Sequence, residues 1–436
     1  MPLAPGAGPG GPADPAAAWR RLAEADGDLA AAIAPTLAGP ERTVSLLAGE
    51  GGVCPAVRAV RAVLPPEAWT EGLHGARLAP GGAAADAVEA LACRRLRALL
   101  GGDHASVQAH SVTVARLAAL AALARPGDTV LAPDPRQGGA HAYGGPLSPA
   151  ASRYRFVHCP ADRESGALDL DMLEDLAREH RPAVVVSGGT AGPLAPDHGG
   201  CAAVARAVGA RLLADLGPFA GAAGAGLLPN PVGLCDAAVL CTGPALRGPR
   251  GGAIVCRAEY GRAVDRAVWP GLQDAVALGD VAAKAACFAA AREPEGVAYQ
   301  RRVLENAAAL AAALRGAGLR LVGEGTATHI AVLDLRGLGL SGRAAERACE
   351  QLGLFVQRAP VPSDPLPPPR CSGLRLATLA VTSRGMGPAE MGALGSLLGD
   401  ALHRLASASA PEWRADPPAD LVAAVAALAA GFPDAG

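Results

Sequence analysis

Short apolar runs, each closed off by Gly, Pro or Asp, recur through the middle of this 436-residue chain. Thr129-Val-Leu, Arg155-Phe-Val, Ala183-Val-Val-Val, Arg211-Leu-Leu-Ala, Ala237-Ala-Val-Leu and Gly252-Ala-Ile-Val are too short for helices and suit buried strands. Helical spacing at 172–180 and 201–208 falls between them. Alternation of this kind predicts an α/β fold, a mainly parallel sheet wrapped by helices, whose chemistry gathers at the carboxyl ends of the strands. Asp215, directly after Arg211-Leu-Leu-Ala, is therefore a candidate site residue. A long helical stretch at 297–314 leads into strand patterns at Arg320-Leu-Val, His329-Ile-Ala-Val-Leu-Asp and Gly373-Leu-Arg-Leu-Ala-Thr, with a helix at 341–352. These predict a small C-terminal α+β domain. The expected division is a low-complexity, disordered extension at 1–16, an N-terminal arm at 17–75 with one helix at 19–38, a large domain at 76–290 and the small domain at 291–436.

Composition narrows the class. Half the residues are apolar and the net charge is −2, which gives no electrostatic case for nucleic acid or an anionic membrane. No apolar stretch approaches the ~18 residues of a membrane span, and nothing resembles a signal peptide. The ten cysteines are scattered without a CxxC pair, so buried free thiols in a cytoplasmic protein are expected, with no metal site. Of 39 basic residues only Lys284 is lysine. It lies in a helical pattern and is expected on a helix surface or in packing.

Residues 242–252 read Thr-Gly-Pro-Ala-Leu-Arg-Gly-Pro-Arg-Gly-Gly. The run from Leu246 resembles the segment after the Schiff-base lysine of serine hydroxymethyltransferases, and the similarity extends nearly ungapped over about 20–402. Its landmarks include Thr70-Glu-Gly, Arg125-Pro-Gly-Asp-Thr-Val, Leu228-Pro-Asn-Pro-Val, Trp269-Pro-Gly-Leu-Gln, Ser372-Gly-Leu-Arg and Ala380-Val-Thr-Ser-Arg-Gly. The resemblance implies a fold-type-I pyridoxal phosphate protein that is dimeric or tetrameric. Enzymes of this kind move a one-carbon unit between serine and tetrahydrofolate.

Carried over residue by residue, the resemblance makes Asp215 the partner of the cofactor's pyridine nitrogen and Arg375 the grip on a substrate carboxylate. Glu71 becomes the acid/base group, and Ser111 and Thr113 hydroxyl donors to the cofactor phosphate. Bland readings stand beside these: a loop-capping Asp, a surface strand Arg, a loop Glu. Other positions depart from the family. Pro244 replaces the Schiff-base lysine, and its ring nitrogen, already in a peptide bond, cannot form an aldimine. Val112 stands where the phosphate loop has Gly, Ala140 where a histidine stacks on the cofactor, and Asp274-Ala275 where the family has Gly-Gly. Trp69, Leu78-Ala79, Pro218, Gly243 and Gly49 replace further polar family positions.

These departures predict that no cofactor is bound and that Glu71, Ser111, Thr113 and Asp215 are vestiges. The leading expectation is a pseudoenzyme, a homodimer or a hetero-oligomer with a serine hydroxymethyltransferase paralogue. Two alternatives stay open. One is a repurposed, cofactor-independent site in which Asp215, Glu71, Arg375 and His141 handle a small carboxylate. The other is weak hydroxymethyltransferase or aldolase chemistry with non-covalent pyridoxal phosphate.

Overall fold

The computed structural model describes residues 15–39, 41–64, 68–189, 192–408 and 417–433. Residues 1–14, most of the extension expected to be disordered, lie outside the described residues. The large domain is built on a seven-stranded sheet. Its strands, in chain order, are β1 (His104–Ser106), β2 (Thr129–Pro133), β3 (Arg155–Cys159), β4 (Val184–Gly188), β5 (Arg211–Gly217), β6 (Ala237–Cys241) and β7 (Gly252–Cys256). They lie in the order β1-β7-β6-β5-β4-β2-β3. The pairs among β3, β2, β4, β5 and β6 are parallel, and β7 runs antiparallel to β6 and β1. All six apolar runs read from the sequence are strands of this sheet. The short β1 went unread, because His104-Ala-Ser carries little apolar signal.

Both faces of the sheet are covered, which explains strands buried at every position, such as β4 and β7. Polar caps start several of the covering helices: Ser111 accepts from Val114 N (3.2 Å), Asp169 from Met172 N (3.0 Å) and Asp197 from Gly200 N (2.8 Å). Each such cap contributes about 1 kcal/mol and sets where the chain turns inward from the sheet edge. In the arm, the helix expected at 19–38 is two, Pro15–Ala25 and Gly27–Ala38. Asp26 breaks it: its extended backbone (φ −152°, ψ 87°) lets its carboxylate cap the second helix at Leu29 N (2.9 Å).

The C-terminal region carries an antiparallel sheet of β8 (Arg320–Leu321), β9 (Ile330–Asp334), β10 (Gln357–Ala359) and β11 (Gly373–Ala377), ordered β8-β9-β11-β10. The helix Pro294–Gly316 packs along Pro388–Ser407 at close range. A Cβ on Gly395 would stand 2.4 Å from the Ala313 Cβ, so only glycine admits this approach. A final Ala-rich helix spans Ala419–Ala430. Among the described residues no helix is long and apolar enough to cross a membrane. All ten cysteines are free and most are buried.

Candidate active site

The parallel register of β5 and β6 brings Asp215 and Pro244 to one edge of the sheet. Asp215 pairs with Val239, and β6 ends at Cys241, three residues before Pro244. Pro244 opens a single 3-10 turn, Pro244–Leu246, and its carbonyl accepts from Arg247 N (3.2 Å). The chain thus passes the position where the resemblance expects a lysine as a fixed turn with no side-chain amine. The only lysine does not compensate. Lys284 is 1% exposed, and its Nζ donates to the carbonyls of Val107 (2.6 Å), Ala109 (2.9 Å) and Gly252 (3.2 Å). It is a packing residue that ties the segment before Ser111 to β7, and the helix-surface alternative is thereby corrected. Burial lowers its pKa from the usual lysine range to about 8.

Asp215 is wholly buried and fully engaged. Oδ2 accepts from Arg116 Nε (2.6 Å) and from the Tyr143 hydroxyl (2.9 Å). Oδ1 accepts from Gly217 N (2.8 Å) and, weakly, from Arg116 Nη2 (3.4 Å). A carboxylate offers about four acceptor directions, and here the chain's own donors use all of them. The Asp215 charge holds the Arg116 pKa above its ordinary value despite burial, and burial first, then Asp215, pushes the Tyr143 phenol well up. Gly189, at φ +71°, closes the cluster: a Cβ there would meet Asp215 Oδ2 at 2.9 Å and Tyr143 at 3.1 Å. Neither Arg116 nor Tyr143 was a sequence candidate. The signal for Arg116 was present, a lone cation in the helix Val-Thr-Val-Ala-Arg-Leu-Ala-Ala-Leu-Ala-Ala-Leu.

The remaining candidates are dispersed. Ser111 caps the helix Val112–Leu123, and Thr113, in its first turn, is exposed. Glu71 lies half-buried between two short strands of the arm, where its carbonyl accepts from Leu78 N (3.1 Å). His141 is exposed and makes no hydrogen bond to Asp215, Glu71 or Arg375, so the four-residue cofactor-independent constellation is not assembled.

Arg375, on β11, lines a second feature, a cavity of about 330 Å³ between the domains. Nη2 donates to Gln357 Oε1, whereas Nε is enclosed without a partner among the described residues. Desolvation lowers its pKa, and no acid offsets this. His329 nearby is 2% exposed, its Nε2 also without a partner, and burial with the Arg375 charge holds its pKa down to about 4. Leu168, Leu194, Val322, Val332 and Pro362 give the cavity apolar walls. Ser187 lines it too, its hydroxyl 2.7 Å from Nδ1 of the buried His198. Sequence reading missed that pair because Ser187 lies near the end of β4 and His198 opens the following helix, eleven residues apart in the chain but adjacent at the sheet edge.

Comparison with known proteins agrees with the architecture. The family model described as serine hydroxymethyltransferase matches residues 22–398. A serine hydroxymethyltransferase of Myxococcus xanthus is 39% identical over 384 residues, covering 88% of this chain and 92% of that protein. One of a Synechococcus species is 38% identical over 374 residues, 83% and 86% of the two chains. Proteins of this family are pyridoxal phosphate-dependent, so the expectation that no cofactor is bound is corrected. Losses at single positions within a site do not establish loss of binding.

The residues do disagree with the group at two positions. Position 244 offers no amine for a covalent bond, and the acceptor directions of Asp215 are already taken by Arg116, Tyr143 and Gly217. With the matched model spanning most of its length and relatives sharing more than a third of their residues across more than four-fifths of it, the chain belongs to the serine hydroxymethyltransferase family.

Proposed function

We propose that this chain has left the lysine-dependent serine–glycine reaction of its family and acts as a non-catalytic or regulatory member, holding pyridoxal phosphate without a covalent link. The observation that carries this reading is Pro244 at the lysine position, with the only lysine committed to three backbone carbonyls. Transimination needs a primary amine beside the cofactor's aldehyde, and none of the described side chains supplies one. The free, largely buried cysteines suit the cytoplasmic location that goes with this reading.

The test is tetrahydrofolate-dependent cleavage of serine beside an intact family member, together with borohydride reduction of the protein in pyridoxal phosphate and mass mapping. Cleavage should stay at background and no stoichiometric pyridoxyl-lysine should form. Turnover within tenfold of the intact enzyme would overturn the proposal, as would efficient labelling of Lys284. A regulatory role further requires an oligomer, either a homodimer or a mixed species with a family paralogue. Light scattering during size exclusion should exceed the 43.2 kDa of one chain. A clean monomer unaffected by an added paralogue would remove the partner role.

One observation favours a second reading. Arg375, whose Nε has no partner among the described residues, lies beside an apolar-walled cavity and suits capture of a small carboxylate. Isothermal titration with short aliphatic and aromatic carboxylates checks it, with Arg375→Met expected to abolish any heat.

A further inference from the structure

Asp215 is the one charged group in the large domain matching a cofactor-binding position that is both wholly buried and already neutralised from within the chain. Arg116 reaches it from the first turns of the helix that Ser111 caps, so one short segment carries both a match to the phosphate donors and the cation on Asp215. The Arg116 side chain is 14% exposed, its guanidinium carbon 5.9 Å from the Tyr143 ring centroid, and Tyr143 itself is fully enclosed. The contact is therefore packed on several sides and differs from a pair of surface charges.

We propose that Arg116 is a built-in competitor for Asp215, so that the affinity for pyridoxal phosphate is set by the work of displacing this guanidinium from the carboxylate. The inference rests on the reading above that the cofactor binds here without a covalent link. A protonated ring nitrogen and Arg116 Nε seek the same oxygen, Oδ2, which also holds the Tyr143 hydroxyl. They cannot share it. Binding at this carboxylate selects a conformation in which Arg116 has turned away, and the apparent dissociation constant is raised by the scarcity of that conformation. Removing Arg116 strands a buried carboxylate in the free protein, and a ligand whose protonated ring nitrogen reaches Asp215 relieves that penalty only when it binds. The variant should be less stable alone and tighter with cofactor.

The experiment measures pyridoxal phosphate binding by equilibrium dialysis, with thermal melting in parallel, for the wild-type chain, Arg116→Asn, Tyr143→Phe and the double variant Arg116→Asn/Asp215→Asn. The expected result is a lower melting temperature for Arg116→Asn without ligand. Its dissociation constant should be about tenfold or more below wild type, and the double variant should lose this gain. Tyr143→Phe keeps the ring volume and the ion pair but frees one acceptor direction, so it should tighten binding by roughly two- to fivefold. It also serves if Arg116→Asn fails to fold. If wild type and variants bind equally well, the competition is overturned and the non-covalent reading stands. If no form binds at millimolar pyridoxal phosphate, the non-covalent reading falls and the competition with it.

Discussion

Arg116 in the large domain and Arg375 in the small one are both drawn into the protein, yet their surroundings are opposite. Arg116 meets a buried carboxylate at 2.6 Å, and the pair is satisfied inside the chain. Arg375 meets the neutral amide of Gln357, leaves Nε without a partner and abuts a cavity. A buried pair without a ligand is a structural contact, while an unpaired guanidinium beside a cavity still calls for an anion. The teaching of the contrast is that family resemblance at a position says little about its state. The resemblance makes both Asp215 and Arg375 ligand contacts, yet one is already engaged within the chain while the other has an open nitrogen.

The largest effect should come from breaking the satisfied pair. Arg116→Ala leaves Asp215 buried and uncompensated, and urea unfolding should show a loss of about 3–5 kcal/mol. Arg375→Met strands no acid and should stay within about 1 kcal/mol of wild type. Equal losses would erase the distinction between the two arginines.

Titration sharpens it next. Lys284, like Arg375, is a buried cation with no carboxylate bonded to it, and its folded pKa of about 8 lies below the roughly 10.4 of an unfolded lysine. Between these values the unfolded chain binds the extra proton, so stability should rise with pH across pH 8–10.5, by up to about 3 kcal/mol. Chemical denaturation at several pH values is the check, and Lys284→Met should flatten the slope.

On the acid side His198 and His329, both near 4, are neutral in the fold and protonate more readily when unfolded. Their contribution is complete above about pH 6.5 and is lost as pH falls toward 4. His329→Gln should reduce that acid loss. If the midpoint at pH 5 is unchanged, the burial beside Arg375 does not govern it.

The smallest expected effect is none. Pro244→Lys supplies an amine but leaves Arg116 on Asp215, and leaves Val112 and Ala140 where the resemblance expects a glycine and a histidine. Tetrahydrofolate-dependent serine cleavage should therefore remain at background. Recovery to a measurable rate would show that the ion pair at Asp215 does not hinder the chemistry.

The sequence by itself determined the architecture. Six apolar runs became six strands because strands covered on both faces of a sheet need continuous apolar residues, and helical spacing placed the long helix Pro294–Gly316 and the helix Gly342–Gln351 within a few residues. It also shows that residue 244 is a proline with no side-chain amine, since covalent structure needs no fold to be read. The end of a helix within the arm was less legible, because Asp26 caps one helix only by leaving another.

Only the tertiary structure decided the state of the site. Arg116 and Asp215 are 99 residues apart, and Tyr143 is 72 from Asp215. Nothing local in Ala-Arg-Leu or Ala-His-Ala-Tyr shows which carboxylate a donor will meet. The connection after β4 brought His198 back onto Ser187 in a way no local pattern announced, and packing left Arg375 without an acid among the described residues. Pairing, burial and the resulting pKa shifts depend on which side chains the packed sheet and helices place within about 4 Å of one another. Local periodicity carries no information about that distance.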